Sequence, residues 1–387
     1  MRIIDFKRIE KNNRIRVQAR VVWEDGDRPA QDIYIETPAA FGAGITISPE
    51  AFLAGSLIPA THFGEKRIAM TPAICPDFKE GLDTAMALVR VWSHGRYRPP
   101  DLQIPVRAQA ATPPSPLRAA MVLSGGIDSL ATLRLNRRHF PADHPGAIRD
   151  GLIIHGFDIG GVVERGMKYP VFDRARQALA AVADDADISL IPVYTNIRHL
   201  CDERTLWLDY FFGAVLAAAG HAFSSRINLL YIASSFDLPN LVPCGSHPLL
   251  DPLYSSHELR IHHAHAELPR MEKLRIVSEW PAAFQNFRVC LANVPDRLNC
   301  GKCEKCVRTM LGLVGLGRLD QTRAFIEDDV TPDMLAPFDI TIRHRPPFYR
   351  ELIEPLKSRG RDDLVQAITG KLATPDRYPG APTGNDR

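Results

Sequence analysis

One six-residue run, Ser124-Gly125-Gly126-Ile127-Asp128-Ser129, constrains the chain more than any other feature. The apolar stretch Ala119–Leu123 before it reads as a buried strand, and Leu130–Leu135 after it as the first turns of a helix. A strand, a glycine-rich turn and a helix start together make an anion trap. Two glycines let backbone N–H groups approach phosphate oxygens, and the helix dipole favours negative charge there. Ser124 and Ser129 add hydroxyl donors. The run lacks the Gly-x-x-x-x-Gly-Lys-Ser/Thr spacing of a Walker A loop and the Gly-x-Gly-x-x-Gly spacing of a dinucleotide fold. The plain alternative is a capped turn, with Ser124 or Asp128 satisfying helix N–H groups.

The second signal lies far downstream. Cys290 is followed, after nine residues, by Cys300-Gly301-Lys302-Cys303-Glu304-Lys305-Cys306. Four thiolates at this spacing suit tetrahedral Zn²⁺ with no open position, hence a structural metal. Gly301 lets the backbone turn under the metal, and Lys302 and Lys305 offset its charge. An iron–sulfur cluster is the rival metal, and free thiols or disulfides are the plain reading. Seven cysteines in a long chain whose start, Met1–Lys7, lacks an apolar signal region point to a reducing compartment. Cys75, Cys201 and Cys244 read as buried, inert thiols.

Ser-Gly-Gly-x-Asp-Ser resembles the pyrophosphate loop of the PP-loop ATP pyrophosphatases. Together with Cys290, Cys300, Cys303 and Cys306 it resembles the 7-cyano-7-deazaguanine synthase (QueC) family. The resemblance covers about Leu117 to Leu313. It implies an adenine nucleotide alpha hydrolase-like, Rossmann-like fold. It also implies adenylation of the carboxylate of 7-carboxy-7-deazaguanine, with ATP and Mg²⁺, followed by transfer to an amine. The family's housekeeping enzyme is one compact domain, whereas here the loop follows about 120 residues of other sequence. That enlarged form resembles the larger members found in bacterial antiphage operons, where the activated deazaguanine is joined to a protein amine. On the same resemblance Ser124–Ser129 and Ser234 would hold ATP and pyrophosphate. Asp128 would support the loop or reach Mg²⁺ through water, and Arg270 and Lys273 would neutralise phosphate charge. Arg270 and Lys273 also fit a solvated helix start.

With 387 residues and 45% hydrophobic content the chain is long enough for two or three domains with real cores. A net charge of +2 gives no global basic field for nucleic acid. The apolar run 211–219 is too short to span a bilayer, so a cytoplasmic location is expected. Whether the chain forms a homo-oligomer is left open.

Period-2 alternation at Ile15, Val17, Ala19 and Val21, then Ile33 and Ile35, predicts a hairpin over 14–36. A short helix after Ser48, a strand at 68–70, a helix over 76–92 and a strand at 102–106 complete an α+β accessory domain over 1–112. Ala111–Pro116 is an extended Pro-rich joint. Residues 117–313 read as an α/β domain including the zinc knuckle at 290–306. Its strands are expected to end at Leu123 and to cover 151–157, 188–193 and 227–233, with helices over 129–138, 169–182 and 205–223. Ligands bind beyond the carboxyl ends of such strands, so Ser124–Ser129, Asp158 and Ser234-Ser235 should share one crevice. Pro243–Pro269 reads as a polar substrate loop whose histidines are solvated or hydrogen-bonded. A helix is expected over about 270–278, helices over 307–328 and 346–370 fill an extension at 314–373, and 374–387 is a disordered tail.

Three other functions compete: the free-ammonia 7-cyano-7-deazaguanine (preQ0) synthase, a tRNA thiolation enzyme with persulfide chemistry at Cys244, and a non-catalytic nucleotide sensor.

Overall fold

Alternation along Arg14–Val22 places Ile15, Val17, Ala19 and Val21 on one buried face, with Arg14, Arg16 and Arg20 on the other. In the computed structural model this segment is strand β2, between β1 (Arg2–Lys11) and β3 (Gln31–Pro38). The model describes residues 1–108, 117–160, 168–342 and 345–373. The joint at 111–116 and the tail at 374–387 lie outside them.

The expected hairpin is therefore the pair β2–β3. β1 was not anticipated, because its apolar residues are interleaved with charge and its ladder shifts register between Ile4 and Lys7. β4 (Arg67–Ala69) and β5 (Asp101–Gln103) follow on its far side. The helix after Ser48 is longer than expected, Pro49–His62. The Ser48 hydroxyl accepts from the Ala51 amide at 3.3 Å. It is apolar on every side and therefore buried, packing on the helix Phe212–Ala222. The helix Pro76–Trp92 lies where the sequence puts it.

From residue 119 strands alternate with helices. β6 (Ala119–Val122), β7 (Ile148–His155), β8 (Ser189–Thr195) and β9 (Leu229–Ala233) are separated by helices that include Ile127–His139 and Tyr169–Asp185. A fifth strand, β10 (Arg260–Ala264), pairs parallel to β9. The sequence reading put this segment in a polar loop, and the structure corrects it. An edge strand tolerates polar side chains, and here Ile261 and Ala264 are buried while His263 Nδ1 lies 2.7 Å from the Asp251 carboxylate.

All ten strands form one mostly parallel α/β sheet in the order β10-β9-β6-β7-β8-β3-β2-β1-β4-β5. The antiparallel steps join β8 to β3, β3 to β2 and β2 to β1. The strands before and after the Pro-rich segment thus belong to the same sheet.

Three helical expectations change. The single helix over 205–223 is broken into Arg204–Leu206, a π turn at Trp207–Phe211 and Phe212–Ala222. The helix expected over 307–328 is Glu304–Leu316, closed by Gly317 at φ 64°. The helix expected over 346–370 is three shorter ones, Pro346–Arg350, Ile353–Ser358 and Asp362–Leu372. Among the described residues no helix is long and apolar enough to cross a membrane.

Candidate functional site

β6 is the strand at which the order reverses, with β7 and β8 on one side and β9 and β10 on the other. A crevice opens at such a switch point, beyond the strand ends. The Ser124–Ser129 turn sits there. Gly125 has φ 75°, a left-handed conformation that favours glycine, and Gly126 begins the helix Ile127–His139. No side chain caps this helix, so its first N–H groups have no side-chain partner. The Ser129 hydroxyl donates to the Gly126 carbonyl at 2.9 Å, and the Gly126 amide donates to Ser124 Oγ at 3.3 Å. The serines therefore shape the turn and leave the helix start open, a geometry suited to an anion.

Asp128 Oδ2 accepts from Arg270 Nη1 at 2.6 Å, while Oδ1 is buried without a hydrogen-bond partner. Arg270 opens the helix Arg270–Ser278, which carries Lys273 one turn on. Lys273 is only 1% exposed, and its Nζ donates to the Ser234 carbonyl at 2.7 Å. Burial pushes its ammonium below the usual lysine range, with Asp128 acting the other way. Ser234 follows β9, and its hydroxyl donates to the Phe236 carbonyl at 2.6 Å. It meets the site through its carbonyl.

The four cysteines gather as the spacing requires. Their sulfur atoms all lie within 4.8 Å of one another, with Cys300 and Cys306 3.8 Å apart. Bonds of about 2.3 Å in a tetrahedron place sulfurs about 3.8 Å apart, so the cluster can hold a zinc ion. Gly301 has φ 72°, and a Cβ there would collide with the Glu327 carboxylate. Asn299, which sequence reasoning missed, fastens the knuckle. Its Oδ1 accepts from the Val289 and Cys290 amides at 2.8 and 3.3 Å, and its Nδ2 donates to the Phe287 and Ala324 carbonyls.

No protein-family model, no curated protein and no solved structure matches the chain. The site's own geometry therefore carries the argument.

The knuckle and the turn are in contact. The Arg288 amide donates to the Gly125 carbonyl at 2.8 Å, two residues before Cys290. Beyond the knuckle, the helix Glu304–Leu316 carries Lys305 and Arg308. Burial pushes the Lys305 ammonium down, with Asp158 opposing it, and burial likewise lowers Arg308, with Glu304 opposing. Lys302 is exposed, so of the two knuckle lysines Lys305 is the one turned inward. Arg270 and Arg308 both lie over the Phe348 ring, at 5.8 and 4.5 Å from its centroid. Phe348 in turn stacks on Phe236 at 5.3 Å. Ile127, Arg270, Arg308, Phe348 and Glu351 line a small cleft of about 20 Å³.

Asp158 follows β7 and is half exposed. Its Oδ1 lies 3.4 Å from Arg198 Nη1, and its carbonyl accepts from Asn293 Nδ2 at 2.9 Å. Arg288, Arg308 and Phe348 carry no motif. The single clue is the i, i+3 spacing of Lys305 and Arg308 on the helix leaving the knuckle.

Proposed function

We propose that the chain is a PP-loop ligase that adenylates the carboxylate of 7-carboxy-7-deazaguanine and transfers the acyl group to an amine on a partner protein. The observation that carries this reading is the Arg270–Asp128 pair at 2.6 Å, set at the helix start beside the cysteine knuckle. It gathers Arg270, Lys273 and Arg308 at a helix N-terminus, which is what a departing pyrophosphate needs.

The substrate carboxylate oxygen attacks the α-phosphorus, the bond to the β-phosphate oxygen breaks and pyrophosphate leaves. The amine nitrogen then attacks the acyl carbon, AMP departs and the amine proton passes to solvent. The first N–H groups of the helix Ile127–His139, which no side chain caps, hold the leaving phosphates. Arg270, fixed by Asp128, and Lys273, fixed by Ser234, hold positive charge beside them. Phe348 and Phe236 offer a flat face to a fused-ring substrate. The free Oδ1 of Asp128 fits Mg²⁺, which would add charge for the phosphate oxygens. Zn²⁺ at the four cysteines fits a structural part, holding Arg288 and Lys305 in place.

The enlarged architecture favours a macromolecular acceptor over free ammonia, because the N-terminal strands extend the sheet beyond the nucleotide half. The thiolation reading loses ground at Cys244. Its thiol is buried, donates to the Ser246 carbonyl at 2.8 Å and is pushed up to about 12 by burial, the opposite of a reactive thiolate.

The test is pyrophosphate release from Mg·ATP with 7-carboxy-7-deazaguanine, with ammonia or with candidate partner proteins, products read by mass. A deazaguanine mass gain on a partner supports the proposal. A nitrile formed from ammonia points to the free-base synthase. No pyrophosphate with any carboxylate leaves a nucleotide sensor.

A further inference from the structure

Three side chains outside that site converge where the N-terminal helix meets the segment after β8. His62 ends the helix Pro49–His62, and Cys201 and Glu203 follow the short turn Ile197–Leu200. One ligand atom from each lies within 4.8 Å of the other two. Cys201 is 7% exposed, so its sulfur sits at the inner side of the group, whereas the Glu203 side chain is 47% exposed.

The distances fit a bound metal as well as an ion pair. His62 Nε2 lies 3.3 Å from Glu203 Oε2. Bonds of about 2.0–2.1 Å at a tetrahedral angle set such a nitrogen and oxygen about 3.3 Å apart. The other ring nitrogen, Nδ1, lies 3.2 Å from the Tyr97 hydroxyl. An outer hydrogen bond of that kind fixes which nitrogen faces the metal and how the ring is turned. With Nδ1 occupied by Tyr97, Nε2 and the carboxylate oxygen face each other, and a divalent cation between them satisfies both.

Nearby cations do not compete for the carboxylate. The Arg28 guanidinium lies 3.2 Å from the Phe63 ring centroid, and that of Arg96 lies 5.2 Å from the Tyr97 ring centroid. Among the described residues, His62 is the ion-pair partner recorded for Glu203. One sulfur, one imidazole nitrogen and one carboxylate oxygen form a mixed donor set that suits zinc, not magnesium or calcium.

We infer that His62, Cys201 and Glu203 form a second zinc site, distinct from the four-cysteine cluster, with a fourth position open to solvent. On binding, the Cys201 thiol gives its proton to water as sulfur bonds the metal. The ion ties the N-terminal helix to the segment after β8, across the seam where the two sets of strands join. Three protein ligands with an exposed fourth position also leave room for water or a small anion. The site is independent of the ligase reading, and either can fail without the other.

The test uses the full chain, stripped with a chelator and dialysed against a fixed free concentration of Zn²⁺, with bound zinc counted per chain. Cys201→Ser and Glu203→Gln are each expected to bind one equivalent less than the unmodified chain. Cys303→Ser should leave this second equivalent in place. Glu203 is half exposed, so Glu203→Gln keeps the fold and remains informative if Cys201→Ser does not fold. Tyr97→Phe is expected to weaken zinc at this site about tenfold while keeping the count at saturation. Equal zinc content in the unmodified chain, Cys201→Ser and Glu203→Gln overturns the inference.

Discussion

The backbone amide of Arg288 donates to the carbonyl of Gly125 at 2.8 Å, joining the strand-like approach to the cysteine cluster to the turn that opens the helix Ile127–His139. The two strongest motifs in the chain, more than 150 residues apart, thus share a hydrogen bond. Whatever fixes the cluster also fixes the turn.

Removing the metal should therefore cost more than local order. Asn299→Leu strips Asn299 of four hydrogen bonds at the knuckle and leaves the Val289 and Cys290 amides unpaired. We expect it to lose zinc from the four-cysteine cluster and to lower pyrophosphate release together. In Glu203→Gln, where the four-cysteine cluster is the zinc site that remains, zinc counted against activity across a chelator titration should fall along one line. A metal-free chain with unchanged turnover would separate the knuckle from the turn.

Asp128→Asn keeps the size of the side chain but removes the charge that holds Arg270 at 2.6 Å. Pyrophosphate release is expected to drop about 100-fold, the usual scale for losing one preorganised electrostatic group. Thermal stability should change little, because Asp128 is partly exposed. The check is initial rate beside melting temperature for the same preparation.

Asp150 is a stability residue, not a site residue. It is fully buried on β7, where Arg226 reaches it with two hydrogen bonds of 2.9 Å and Arg118 with two, of 2.5 and 2.8 Å. Asp150→Asn leaves two guanidiniums facing a neutral amide, at a cost of about 3–5 kcal/mol. Chemical denaturation at neutral pH measures it, and a loss below 1 kcal/mol would contradict the assignment.

Acid should loosen the sheet through His155. The ring is buried against Tyr169, stacked at 4.5 Å, and burial lowers it to about 4. An unfolded histidine takes up its proton near 6.5, so below that pH the unfolded chain binds a proton that the folded one refuses. Stability is fully present above pH 6.5 and declines as pH falls towards 4, by up to about 3 kcal/mol. His155→Phe keeps the stack and should flatten the melting-temperature profile between those two values.

The elements visible in the sequence were those whose pattern owes nothing to distant partners. The alternation of β2, the largely apolar strands β6 to β9 and the amphipathic helix Pro76–Trp92 fall within a few residues of their expected bounds. β10 was not legible, because as an edge strand beside β9 it carries two histidines that read as loop. Nor was β1, whose role depends on pairing with β2. In the site, Ser124–Ser129 and the four cysteines were legible because turn geometry and metal spacing are local. Asn299, Arg288 and Arg308 act through contacts with segments far along the chain, which no local pattern records. Cys201 is buried, as the sequence reading has it, but that His62 and Glu203 lie beside it was not legible, since His62 lies on another element.

β3 joins β8 through just two residue pairs, Ile35 with Thr195 and Glu36 with Tyr194, yet the helix Pro49–His62 is buried from Glu50 to Thr61 and packs on Phe212–Ala222. A chain cut at residue 117 would bare the flank of β8 and the apolar surface of Phe212–Ala222 at once. The first hundred residues are therefore a wall of the same building, not an annex, and a fragment carved from 117 onward would be sticky and aggregation-prone.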